Sequence, residues 1–147
     1  KDYILFIKLH PAVNHDLQIN PEDNFVFDVS KEKIQALMVI TDILISDYSS
    51  VPFEFAFLEK PMIFYAYDLE TYRQSSGLID HYKEEMPGPI VTTTDEMIQV
   101  ILENRFNLDT IKEFKKRWNE YSNGQSSQKL AKALVHEERL ETKEILV

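Results

Sequence analysis

The chain has 147 residues, 44% of them hydrophobic and 28% charged: enough for one domain with a sizeable core, and too apolar for a disordered tail. Its 25 acidic against 16 basic residues leave a formal net charge of −9, which argues against nucleic acid as a partner, because phosphate needs clustered Lys and Arg. With no cysteine there is no disulfide frame, zinc–thiolate site or thiol nucleophile, and no apolar run approaches the ~20 residues that cross a bilayer. The chain starts at Lys1 without a signal-peptide pattern and is expected to be a processed chain or a piece of something longer.

Tyr3-Ile4-Leu5-Phe6-Ile7 is an unbroken β-prone run, as expected of a strand covered on both faces, and Pro11 ends it. Phe25-Val26-Phe27 reads as a second short strand, after which Ser30 can cap a helix carrying Ile34, Leu37 and Met38. Ile43-Leu44-Ile45 is a third strand, leading into the polar corner Ser46-Asp47-Tyr48-Ser49-Ser50. The next segment is ambiguous. Phe53-Glu54-Phe55-Ala56-Phe57 alternates like a strand, but Ser49 and Ser50 offer caps and Pro52 suits a first helical turn, so Val51 to Leu58 is read as a short buried helix. Met62-Ile63-Phe64-Tyr65 is the better strand, followed by an irregular stretch from Ala66 to Tyr82. After the Pro87-Gly88-Pro89 turn comes a short strand at Ile90-Val91. Thr93-Thr94-Asp95-Glu96 has capping-box spacing and opens a helix to about Glu103. Helical stretches from Asp109 to Tyr121 and from Ser126 onward complete the chain. Alternating strands and helices predict an α/β fold: a Rossmann-like parallel sheet with helices on both faces.

In open parallel sheets, ligands bind beyond the carboxyl ends of the strands. Two serine hydroxyls at a helix start, Ser49 and Ser50, are suited to an anion such as phosphate; equally, one of them can simply cap the helix. Glu54, a turn into that helix, would repel phosphate and is better placed for neutral ribose hydroxyls, or it is only a favourable helix-start charge. His10, at the end of the first strand, suits proton transfer or a phosphate contact, although a lone His is commonly structural. His15, His81 and His136 read as surface residues, and Tyr65, Tyr67 and Tyr72 as either a base-stacking cluster or core edge. No His pair has metal-ligand spacing with an acid, so neither a metal nor a cofactor is assigned. Dinucleotide-binding glycines, a P-loop and a nucleophile elbow are absent, and Lys8-Leu9-His10 cannot supply the acidic cluster of a phosphoacceptor receiver.

Taken together the segments are more specific. Phe6-Ile7-Lys8-Leu9-His10-Pro11, Asp42 through Glu54, Pro61 through Asp68, Gly77-Leu78, Pro87-Gly88-Pro89-Ile90 and Asn123-Gly124-Gln125-Ser126-Ser127 occur in that order. From about Tyr3 to Leu134 the chain resembles the CDP-glycerol glycerophosphotransferases, the teichoic acid primases and polymerases. The resemblance implies a GT-B architecture, with this chain as its C-terminal, donor-nucleotide-binding half over residues 1–135 and a helical tail over 136–147. It implies transfer of polyol phosphate from CDP-glycerol or CDP-ribitol to a lipid-linked polymer, with release of CMP. Ser49 and Ser50 would contact the pyrophosphate, Glu54 the ribose, and Lys8 and His10 the phosphates, with His10 the catalytic residue on this chain. The family often has Asp where Glu54 stands. Its presumed base lies in a His-Gly-Thr-type motif of the preceding domain, which this sequence lacks, so the chain alone is expected to be inactive. The implied location is cytoplasmic, peripheral to the inner face of the membrane, with docking through other regions because this domain is acidic. A nucleotide-sugar-dependent GT-B glycosyltransferase and a non-catalytic nucleotide-binding or interaction module are the alternatives.

Overall fold

The computed structural model describes residues 3–13, 17–20, 22 and 24–144, with side chains up to residue 135. The chain forms two compact units, residues 1–41 and 42–147. In place of one sheet, the described residues form a two-stranded and a three-stranded sheet, both entirely parallel.

In the first unit, β1 (Leu5–Ile7) pairs with β2 (Val26–Asp28) in the register Leu5↔Val26, Phe6↔Phe27. The paired Phe6 and Phe27 rings meet edge to face at 6.3 Å. The expectation that β1 is covered on both faces is not met. Phe6 is 38% exposed, and among the described residues of this unit the buried apolar ones are Leu37 and Met38 of α1 (Ile34–Ile40). So small a unit has little interior in which to bury a strand. Ser30 also departs from its expected role. The helix starts four residues later, at Ile34, and Ser30 Oγ instead accepts from the Leu9 amide at 3.0 Å. Ser30 N in turn donates to Asp28 Oδ1 at 2.8 Å, and these Ser30 contacts hold the Asp28 carboxyl below its usual range. The side-chain oxygen ties the segment after β1 to the turn after β2, and Ser30 lies three residues before the N-cap of α1 at Lys33.

The second unit is built on β3 (Leu44–Ser46), β4 (Met62–Tyr65) and β5 (Ile90–Val91), in the order β3-β4-β5. The central strand is the most buried, with Met62 at 1% and Ile63 and Phe64 at 0% exposure. This is why its sequence is a continuous apolar run rather than an alternation. Ile63 packs with Val91 and with Val100 of α5 (Thr94–Leu102). The capping box forms as read: Thr93 Oγ1 accepts from Glu96 N, and the Glu96 carboxylate accepts from Thr92 N and Thr93 N at 2.8 and 3.2 Å. Those backbone donors hold the Glu96 carboxyl below its usual range.

The ambiguous segment is helical. Helix α2 (Val51–Phe55) runs into a 3₁₀ turn (Ala56–Leu58), with Phe55 and Ala56 fully buried and Glu54 and Phe57 exposed. Two adjacent buried positions cannot lie on one face of a strand, but they fit one stripe of a helix. The stretch from Ala66 to Tyr82 is more ordered than its sequence suggests: it contains α3 (Leu69–Ser76) and the start of α4 (Tyr82–Glu85). Only Leu69 of α3 is buried, so the apolar period that marks a helix is missing. Asp68 and Gly77, at φ +76°, nevertheless bracket it. Helix α6 (Leu108–Trp118) packs Phe114 and Trp118 around Phe53, with ring centroids at 5.1 and 5.3 Å, and Asn119 Nδ2 donates to Phe53 O at 2.9 Å. Lys115 of α6 pairs with Glu59, which ends the 3₁₀ turn at φ +52°. Helix α7 (Ser126–Glu144) follows Gly124 and runs through residue 135 without a break.

Gly88 lies against β4, where an added Cβ would collide with the Met62 carbonyl. Gly88→Ala is therefore expected to destabilise the chain by about 1–3 kcal/mol, seen as a lower urea midpoint. The hydrogen bond from Lys115 lowers the Glu59 carboxyl from its ordinary 4.5, so this pair stabilises the fold above that pH and loses its contribution as pH falls through the depressed value. Glu59→Gln is expected to flatten the acid limb of a plot of melting temperature against pH while changing the alkaline limb little.

Candidate functional site

The carboxyl ends of β3 and β4 lead into polar corners of the larger unit. From β3 the chain continues through Asp47 and Tyr48 to Ser49 and Ser50, both exposed, and then into α2. Ser49 Oγ accepts from the Val51 amide at 3.2 Å, and Ser50 O accepts from Phe53 N at 3.1 Å. Ser50 occupies the N-cap position but its side chain makes no cap bond. Pro52 has no N–H to offer. The amides that the sequence places at the helix start are thus mostly committed, and the corner presents hydroxyls: Ser49 as the helix-start acceptor, and Ser50 unused by the helix. Glu54 is exposed in the first turn of α2, clear of the buried Pro52 and Phe55.

Behind the corner stands a group of tyrosines. The Tyr48 hydroxyl donates to Asp68 Oδ1 at 2.7 Å, and its ring stacks on Tyr72 at 3.9 Å with 21° between the planes. The Tyr82 hydroxyl donates to Asp47 O at 2.9 Å, and its ring lies 5.8 Å from that of Tyr48. Burial pushes both hydroxyls far above their ordinary range, helped at Tyr48 by the Asp68 hydrogen bond and at Tyr82 by the Asp47 charge. Both stay protonated and act as donors. Tyr72 therefore does not simply join Tyr65 and Tyr67; those two pack together at 5.5 Å, with Tyr67 66% exposed. In the sequence Tyr48 and Asp68 stand out only as members of polar strand ends, and Tyr82 does not stand out at all. An aromatic hydroxyl inside a polar strand-end corner, needing a partner once buried, was the available signal.

In the smaller unit, the end of β1 carries Lys8 and His10. Lys8 Nζ donates to Ser30 O at 2.8 Å and Glu32 O at 2.7 Å, so two of its three N–H groups already hold the turn before α1. His10 is exposed, and its Nδ1 accepts from the Ala12 amide at 3.1 Å. An accepting Nδ1 leaves the neutral ring's proton on Nε2, so the outward nitrogen is a donor. His81 is exposed at φ +56°, while His15 and the side chain of His136 lie outside the described residues.

Residues 1–136 match the family described as CDP-Glycerol:Poly(glycerophosphate) glycerophosphotransferase. The teichoic acid glycerol-phosphate primase of Bacillus subtilis (strain 168) is 45% identical over 130 residues, covering 88% of this chain and 34% of the primase. The teichoic acid ribitol-phosphate polymerase TarK of Staphylococcus aureus is 35% identical over 133 residues, covering 89% of this chain and 26% of TarK. Among solved structures, the wall teichoic acid polymerase TagF superposes with a TM-score of 0.74 at 31% identity, over 97% of this chain and 36% of TagF. A histidine-to-asparagine variant of TagF soaked with CDPG gives the same score. The chain spans about a third of the length of the primase and of TagF. With the family match running through residue 136 and a relative 45% identical over most of the chain, this protein belongs to the CDP-glycerol:poly(glycerophosphate) glycerophosphotransferase family.

Proposed function

We propose that this chain is the donor-nucleotide-binding part of a CDP-glycerol or CDP-ribitol glycerophosphotransferase that extends a teichoic acid or capsular polymer. The observation that carries the reading is the likeness to TagF, one form of which was soaked with CDPG, over 97% of this chain. The exposed Ser49 and Ser50 hydroxyls beyond β3 are consistent with it. Ser49 and Ser50 contact the donor pyrophosphate, and Glu54 accepts from the ribose hydroxyls. His10 directs its Nε2–H to the phosphates as the catalytic residue on this chain, and Lys8 adds positive charge at the same strand end.

In the reaction, a terminal hydroxyl of the polymer attacks the β-phosphorus. The new P–O bond forms as the bond to the bridging oxygen breaks, and CMP leaves with the electron pair. Charge accumulating on the CMP phosphate is met by hydrogen-bond donors, the main protein contribution to phosphoryl transfer. Removal of the attacking proton falls to a base on the N-terminal GT-B domain, so residues 1–135 bind donor without turning over and 136–147 form an appended tail. The acceptor is a lipid-linked polymer end. Among the described residues no helix is long and apolar enough to cross a membrane. The proposed location is the cytoplasmic face of the membrane, docked peripherally through other regions.

CDP is expected to raise the melting temperature more than UDP or ADP; at 100 times its Kd it would add about 2.7 kcal/mol. A larger shift with UDP would favour a nucleotide-sugar donor, and no shift with any nucleotide would remove the reading. Glu54→Gln is expected to weaken CDP by roughly 10–100-fold, because a charge-assisted hydrogen bond is lost. It should weaken 2′,3′-dideoxy-CDP far less. Calorimetric titration of both nucleotides checks this, and equal losses would leave Glu54 with no ribose contact.

A further inference from the structure

Ser49 and Ser50 are exposed, yet the backbone on either side of them is held. After them, Pro52 and Phe55 are buried. Before them, the Asp47 carbonyl is tied to the Tyr82 hydroxyl, and Tyr48 is gripped from two directions, its hydroxyl by Asp68 and its face by Tyr72. Both grips come from the first turn of one helix, α3, where the Tyr72 amide donates to Asp68 O at 2.9 Å.

Asp68 departs from local preference in an informative way. It occupies the N-cap of α3, where an Asp side chain ordinarily accepts from a helix amide, but it makes no such bond. Its carboxylate serves the Tyr48 hydroxyl instead. A residue that gives up a favourable local contact for a distant one marks a place where the distant contact has a use. The distant partner is the residue immediately before Ser49.

We propose that Tyr48 is a positioning residue for the Ser49–Ser50 anion contact, held by the Asp68 carboxylate and the Tyr72 ring so that the backbone carrying the two hydroxyls is ordered before ligand arrives. The proposal rests on the donor-binding reading of Ser49 and Ser50. Its physical basis is preorganisation: an exposed two-serine step left free would lose conformational freedom on binding, and a step already fixed does not.

The test is Tyr48→Phe in the 147-residue chain, which removes the hydroxyl and keeps the ring that stacks on Tyr72. The Val51 amide, accepted by Ser49 Oγ, reports order at the corner, while the Phe64 and Ala66 amides report the sheet. Hydrogen exchange followed by NMR is expected to quicken about tenfold at Val51 and to stay unchanged in the sheet. CDP affinity by calorimetry is expected to fall about tenfold. Adding Tyr48→Phe to the Ser49→Ala/Ser50→Ala variant should cause no further loss, because Tyr48 acts through the serines. Unchanged exchange at Val51, or equal acceleration at Val51 and in the sheet, overturns the proposal whether or not CDP binds. Fully additive affinity losses overturn it as well. A wild-type chain that binds no CDP removes the donor-binding reading; the exchange measurement alone then decides whether Tyr48 orders the corner.

Discussion

Strand β4 pairs on both edges and buries both faces, and the larger unit is organised by what that requires. Each side chain taken out of water along Met62, Ile63 and Phe64 is worth about 1.5–3 kcal/mol, so the strand has one register and cannot slide. Because β3 and β5 flank it in parallel, each neighbour must be reached by a crossover. The first crossover is the compact α2 and 3₁₀ turn, which presses Phe55 and Ala56 into the interior. The second brings Gly88 against the Met62 carbonyl, a contact that leaves no room for a side chain. One consequence is directional. With all strands parallel, the loops after β3 and β4 emerge on the same side, and Tyr48 and Asp68 meet there.

That arrangement was partly legible in the chain. β4, the α2 segment, the capping box at Thr93 and the strand at Ile90-Val91 appear where residue pattern and punctuation place them, because each rests on local chemistry. Helix α3 was hidden, since Leu-Glu-Thr-Tyr-Arg-Gln-Ser-Ser from Leu69 has no apolar stripe. It is held at its start by a side-chain partner twenty residues earlier, which no local window includes. Ser30 misled for a related reason: its hydroxyl is suited to capping, but the Leu9 amide, twenty-one residues away, takes it. The corner at Ser49 and Ser50 was visible as composition, whereas the state of its amides depended on geometry.

The two residues of the smaller unit proposed to meet phosphate differ in what they already do. Lys8 has two of its donors committed to backbone carbonyls, which fixes its ammonium against the turn before α1. His10 is the opposite: one nitrogen is occupied by the Ala12 amide and the other is left outward with its proton. The proposed phosphate contacts thus draw on a lysine built into a turn and a histidine with one ring nitrogen already bonded.

A corner lined by hydroxyls rather than amides has a mechanical property of its own. A backbone N–H points where the peptide plane points, and turning it means moving the chain. A serine hydroxyl turns about a single bond, and exposed side chains reorient within picoseconds to nanoseconds. Ser49 uses a lone pair on Val51, so its proton is directed away from the helix, whereas Ser50 has its donor and both lone pairs to dispose. The backbone beneath can therefore remain stationary while the hydrogen atoms above it turn toward whatever acceptor approaches.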